Sequence, residues 1–95
     1  MHYLYILYSK SSQKFYIGET HNIDERILKH QNHSYSNSFT KIANDWEVVL
    51  TFICNNKEEA LYLENFIKRM KSKVFNNKII ADPSILKEIL SKRKS

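Results

Sequence analysis

At 95 residues, 42% of them hydrophobic, the chain is long enough for one globular domain, too short for two, and too apolar for a disordered segment. A single cysteine, Cys54, excludes an intrachain disulfide. The formal charge of +5 is unevenly placed: six Lys and Arg stand against eight Asp and Glu through Ile67, and nine against two from Lys68 onward.

In chain order, HYLYILYS at 2–9 is β-branched and aromatic and predicts a strand. KSSQ at 10–13 reads as a turn and KFYIG at 14–18 as a second strand, which makes 2–18 a hairpin. Alternation puts Tyr3, Tyr5 and Leu7 on one face and Leu4, Ile6 and Tyr8 on the other. In the second strand Phe15 and Ile17 share a face, and Tyr16 and Gly18 share the opposite one. Gly18 is the only glycine of the chain, so a close approach of backbone or ligand is expected there.

Asn22 is an N-cap candidate for a helix to about residue 31, with Asp24 and Glu25 in the dipole-favoured first turn. Ile23 and Ile27 define its apolar stripe, and Arg26 and His30, four apart, flank that stripe. An arginine beside a core needs an anionic partner: a structural carboxylate, or a phosphate it clamps. Residues 32–45, rich in Asn and Ser, read as a loop. WEVVLTFIC at 46–54 is a third strand, in which Cys54 reads as a small buried hydrophobe.

Asn55 or Asn56 caps a second helix expected to run to about residue 73. Ala60, Leu63, Ile67, Met70 and Val74 form its buried stripe, with Glu64 at the edge away from Phe66. A short helix over 75–80 follows, and Asp82-Pro83 opens a last one to about residue 91. The fold class expected is α+β: a small three-stranded antiparallel sheet packed with helices, in the order β-β-α-β-α plus a C-terminal helix. Residues 1–95 are expected to form one domain, with 82–95 a basic helical extension.

The basic third faces a polyanion or solvates a helix pair, and nucleic acid leads as the polyanion. His21, His30 and His33 match no zinc spacing, because no cysteine or second histidine pair completes one. No apolar run reaches the ~18 residues of a membrane span and no signal peptide is seen, so a cytoplasmic protein is expected.

Taken together, YLYIL at 3–7, YIG at 16–18, Arg26, His30 and a helix-borne Glu64 in EALYLENFIKRMKS resemble the GIY-YIG nuclease family. A TK…W stretch at Thr40, Lys41 and Trp46 is similar to that of its small stand-alone bacterial members. The first motif keeps its tyrosine, Tyr5, behind Tyr3-Leu4 in place of the usual Gly-Ile. A late family asparagine falls on Asn76 or Asn77.

The resemblance implies hydrolysis of DNA phosphodiester bonds with one divalent cation, Mg²⁺ or Mn²⁺, with branched or damaged DNA among the candidate substrates. It makes Tyr5 the general base, although a free tyrosine ionises at about 10 and must be lowered by neighbouring positive charge. It makes Arg26 the phosphate clamp, Tyr16 and His30 the groups that hold phosphate or water, and Glu64 the sole metal ligand. Gly18 admits the close approach, and Lys41 is a weaker candidate for the same neighbourhood. Lys68 and Lys71, in the basic segment, would hold flanking backbone phosphates. The competing readings are a nucleic-acid-binding module without cleavage and a small protein-interaction domain.

Overall fold

The computed structural model describes residues 1–26 and 45–93. Strands β1 (His2–Ser9), β2 (Lys14–Thr20) and β3 (Trp46–Cys54) form one antiparallel sheet in the order β2-β1-β3. The first hairpin pairs Tyr5 with Gly18 and Leu7 with Tyr16, and β3 places Thr51 on the other side of Tyr5. A register shift opposite Ile6 and Leu7 interrupts the β1–β3 ladder. The hairpin turn is pinned to the start of β3 by Asp45, which accepts from the Ser9 hydroxyl at 2.6 Å and the Ser11 amide at 2.9 Å. These bonds, Ser9 first, hold the Asp45 carboxyl below its ordinary pKa.

Three helices follow: α1 (Lys57–Met70), α2 (Lys73–Ala81) and α3 (Ser84–Arg93). Asn56 caps α1 by accepting from the Glu59 amide at 2.9 Å, while the Glu59 carboxylate reaches back to the Asn55 amide at 2.9 Å. Ser72 caps α2 through the Phe75 amide, and Asp82 caps α3 through the Ser84 amide and hydroxyl. All three helices bury apolar side chains on one sheet face, where Ala60, Leu63, Ile67, Ile79 and Leu86 meet Leu4, Ile6 and Ile17. Each fully buried leucine contributes about 1.5–3 kcal/mol of transfer free energy. Arg93 closes the helix layer, stacking on Tyr62 with its guanidinium 5.7 Å from the ring centre and reaching Glu59 at 3.7 Å. That guanidinium is therefore committed to packing.

The structure departs from the sequence pattern at two points. The second helix stops at Met70, because Lys71 adopts the left-handed conformation with φ 48° and a new helix starts at Lys73. Met70 and Val74 consequently leave the buried stripe, with 46% and 79% of their surface exposed. The second strand also runs past Gly18 to Thr20, so the glycine lies inside it. Among the described residues no helix is long and apolar enough to cross a membrane.

Candidate active site

Alternation along β1 sends Tyr5 and Leu7 to the sheet face opposite α1, where they cluster with Trp46 and are flanked by Tyr16 and Ile23. Tyr5 is fully buried, and its phenol lies across the neighbouring strand over Gly18. A Cβ at Gly18 would sit 2.6 Å from Tyr5 Oη and 2.7 Å from Cζ. The glycine has no positive φ, so what it supplies is room for a side chain, not an unusual backbone. The close approach expected at this position is therefore made by a tyrosine ring. Tyr16, two residues earlier on the same face, places its ring centre 6.2 Å from that of Tyr5.

Arg26 follows from the end of β2. Thr20 Oγ1 accepts from the Asn22 amide at 3.1 Å, and Asn22 Oδ1 caps the helical turn at 23–26 by accepting from the Glu25 amide at 3.1 Å. The Arg26 amide donates to Asn22 O at 3.2 Å. Ile23 anchors this turn against the tyrosine cluster, which brings the half-buried Arg26 to the same side of the sheet. His30 and Lys41 lie outside the described residues, as does Ile27.

Glu64 stands elsewhere. Its helix, α1, packs over β1 and β2 on the opposite face, next to the sheet edge that β2 forms. Its side chain is 16% exposed, and its carboxylate accepts from Lys68 Nζ at 2.7 Å, the local i,i+4 pair that competes with a metal role. No group of three metal-ligating side chains exists among the described residues. A single carboxylate at an edge nevertheless suits a Mg²⁺-like ion, which keeps most of its waters and takes phosphate oxygens as ligands.

The structure therefore brings Tyr5, Tyr16, Gly18 and the Arg26 turn to one face, while Glu64 is carried by α1, the helix packed on the other. Lys68 and Lys71 line a cleft on the helix side of edge strand β2. Two of its other lining residues, Lys14 and Lys73, carry no sequence signal of their own, since only the fold brings them to one cleft. Of the two late asparagines, Asn76 is buried and Asn77 exposed.

This arrangement has known counterparts. Residues 1–79 match the family model of the GIY-YIG catalytic domain. The chain belongs to the GIY-YIG family. It is 29% identical over 70 residues to the UvrABC system protein C of Mycoplasma capricolum and, equally, to that of Mycoplasma mycoides. The match takes in 73% of this chain and only 12% of each relative's length. The solution NMR structure of the UPF0213 protein BH0048 from Bacillus halodurans superimposes with a TM-score of 0.53 at 30% identity, covering 84% of this chain and 82% of that one.

Proposed function

We propose that the domain is a divalent-metal-dependent endonuclease that cuts DNA, with repair or recombination intermediates as its substrates. The observation that carries the reading is the tyrosine hydroxyl held over the chain's one glycine. Packing alone would be served by phenylalanine at position 5, whereas Tyr5 Oη is delivered to the strand that also presents Tyr16. The relatives named for the UvrABC system support a repair substrate.

Hydrolysis needs a water deprotonated, phosphoryl charge offset and the leaving oxygen neutralised. Tyr5, acting as its phenolate, would take the proton of the attacking water on Oη and become the neutral phenol. Tyr16 hydrogen-bonds and orients that water or the scissile phosphate, and Arg26 engages two phosphoryl oxygens with its planar fork. His30 joins them in holding the phosphate. Glu64 would hold the divalent cation, which when bound would supply positive charge to substrate phosphate.

The test is single-turnover cleavage of nicked, branched and linear DNA with Mg²⁺ or Mn²⁺. Tyr5→Phe should slow cleavage by about 10²-fold or more with the fold intact. Glu64→Gln should abolish metal-dependent cleavage, keep DNA binding and cost only about 0.2–0.5 kcal/mol through its lost lysine pair. Wild-type cleavage by Glu64→Gln would leave Glu64 as half of a surface ion pair. It would favour the competing reading that this face binds nucleic acid without cutting it.

A further inference from the structure

On the helix side of edge strand β2, the C-terminal end of α1 and the start of α2 enclose an open cleft of about 520 Å³. Lys14, Lys68, Lys71 and Lys73 line it, and no carboxylate does. Its floor is apolar, formed by Phe15, Ile17 and Ile67. Two of the ammonium groups are held at the rim: Lys68 by Glu64 at 2.7 Å and Lys73 by the Gln13 carbonyl at 2.9 Å. Lys14 and Lys71 have no ion-pair partner among the described residues. Four lysines around one cleft set up a positive potential that favours an anion there.

Asn76 is the second, independent sign. It lines the same cleft, is only 7% exposed, and its Oδ1 is buried without a hydrogen-bond partner. Buried amide groups are normally satisfied, and an orphan at a cleft wall points to a polar group that is supplied from outside. Either end of the amide can meet such a group, since oxygen and nitrogen interchange by a flip of the side chain. A sugar hydroxyl would donate to the oxygen, and a phosphate oxygen would accept from the nitrogen.

We propose that this cleft is a second nucleic-acid site, which holds one nucleotide of a single strand on the sheet face opposite the tyrosines. The phosphate lies among Lys14, Lys71 and Lys68, the base rests on Phe15 and Ile17, and Asn76 fixes the orientation. The apolar floor, on which an unstacked base can lie, separates this ligand from a bare phosphate and from a duplex, whose bases are already stacked on one another. The proposal rests on the nuclease reading for its purpose: a strand bound here and bent around β2 would be drawn towards Tyr5. Its physical content is binding alone.

The experiment measures binding of a short oligothymidylate to the full chain across a salt series, without added metal. Two surface variants avoid folding failure: Lys14→Gln, and Lys71→Gly, whose new residue is at home in the left-handed conformation of Lys71. Each single-strand phosphate neutralised by a lysine adds about 0.7 to the slope of log K against log salt. Together the two variants should therefore lower that slope by about 1.4 and weaken affinity roughly tenfold near 0.1 M salt. Asn76→Leu should weaken binding without lowering the melting temperature, whereas a purely structural amide would lose stability and leave affinity intact. Unchanged slope and affinity in the lysine double variant would overturn the proposal, as would inorganic phosphate competing as well as the oligonucleotide, or an effect confined to duplex DNA. Cleavage activity is a separate readout. Its absence beside lysine-dependent binding would remove the nuclease reading and leave this site, and cleavage with unchanged binding would do the reverse.

Discussion

On the helix-covered face of the sheet, Leu4, Ile6 and Ile17 meet Ala60, Leu63 and Ile67; on the other, Tyr5 and Leu7 meet Trp46, Tyr16 and Ile23. One strand, β1, feeds both, because successive residues point to opposite sides. The first face is largely aliphatic and is closed by three helices. The second is aromatic, carries polar tips on buried rings, and is capped by the turn that bears Arg26. Aliphatic packing is non-directional and can be traded for other side chains of similar volume. An aromatic ring with a hydroxyl fixed over a glycine has one geometry. Stability therefore rests chiefly on the helix face, and under the proposed function the tyrosine face would supply the general base and the phosphate clamp.

The strongest way to break that division is to cut into the helix face. Leu63 is fully buried at the centre of α1's stripe. Leu63→Ala should destabilise the domain by about 2–5 kcal/mol through lost burial and a residual cavity. Urea denaturation measures it directly. A cost no larger than that of an exposed substitution would mean the helix layer is loosely docked and the tyrosine face carries the fold.

Gly18→Ala probes the other face. The added Cβ would meet a buried ring at 2.6–2.7 Å, and no flexible end is available to yield. Overpacking of this kind costs about 1–3 kcal/mol. The ring should also be pushed from its position, so cleavage should fall more than stability does. In a Tyr5→Leu background the colliding atoms are gone, and the same substitution should be nearly neutral. A coupling between the two sites below about 0.5 kcal/mol would show that Gly18 serves something other than Tyr5.

Much of the fold was readable because its signals are local. β-Branched and aromatic runs gave the bounds of β1 and β3, and the caps at Asn22, at Asn56 of the Asn55-Asn56 pair and at Asp82 follow from side chains that satisfy the first amides of a helix. Ala60, Leu63 and Ile67 follow from helical period. The same period fails at Met70 and Val74 because the left-handed Lys71 resets the phase, and a lysine there carries no sequence mark of a helix end as a glycine would. Gly18 stood out by its rarity, but what presses on it depends on the β1–β2 register, which no single strand discloses. The lysine cleft is harder still. Lys14 and Lys71 are 57 positions apart in number and adjacent only once α1 has docked on β2.

The finest probe of the two faces is a thiol. Cys54 ends β3 on the helix-packed face, 1% exposed, and its pKa is pushed up to about 11, first by burial and then by the charge of Glu59. An unfolded cysteine ionises at about 8.5, so above that pH the unfolded chain sheds a proton that the folded chain keeps. The sign is therefore fixed: this group's contribution to stability is whole below the ordinary thiol range and is lost as pH rises to about 11. The wild-type curve alone does not isolate the thiol. Cys54→Ala does, since it removes the thiol while leaving every other titrating group. Denaturation midpoints of the two proteins should diverge in slope between these limits, with the wild type falling more steeply. Native-state labelling of Cys54 should meanwhile be slow, at a rate that tracks opening of the helix face and rises in Leu63→Ala far more than in Gly18→Ala. Equal labelling rates in those two variants would mean that the two faces open together, and the division of labour between them would be one of chemistry alone.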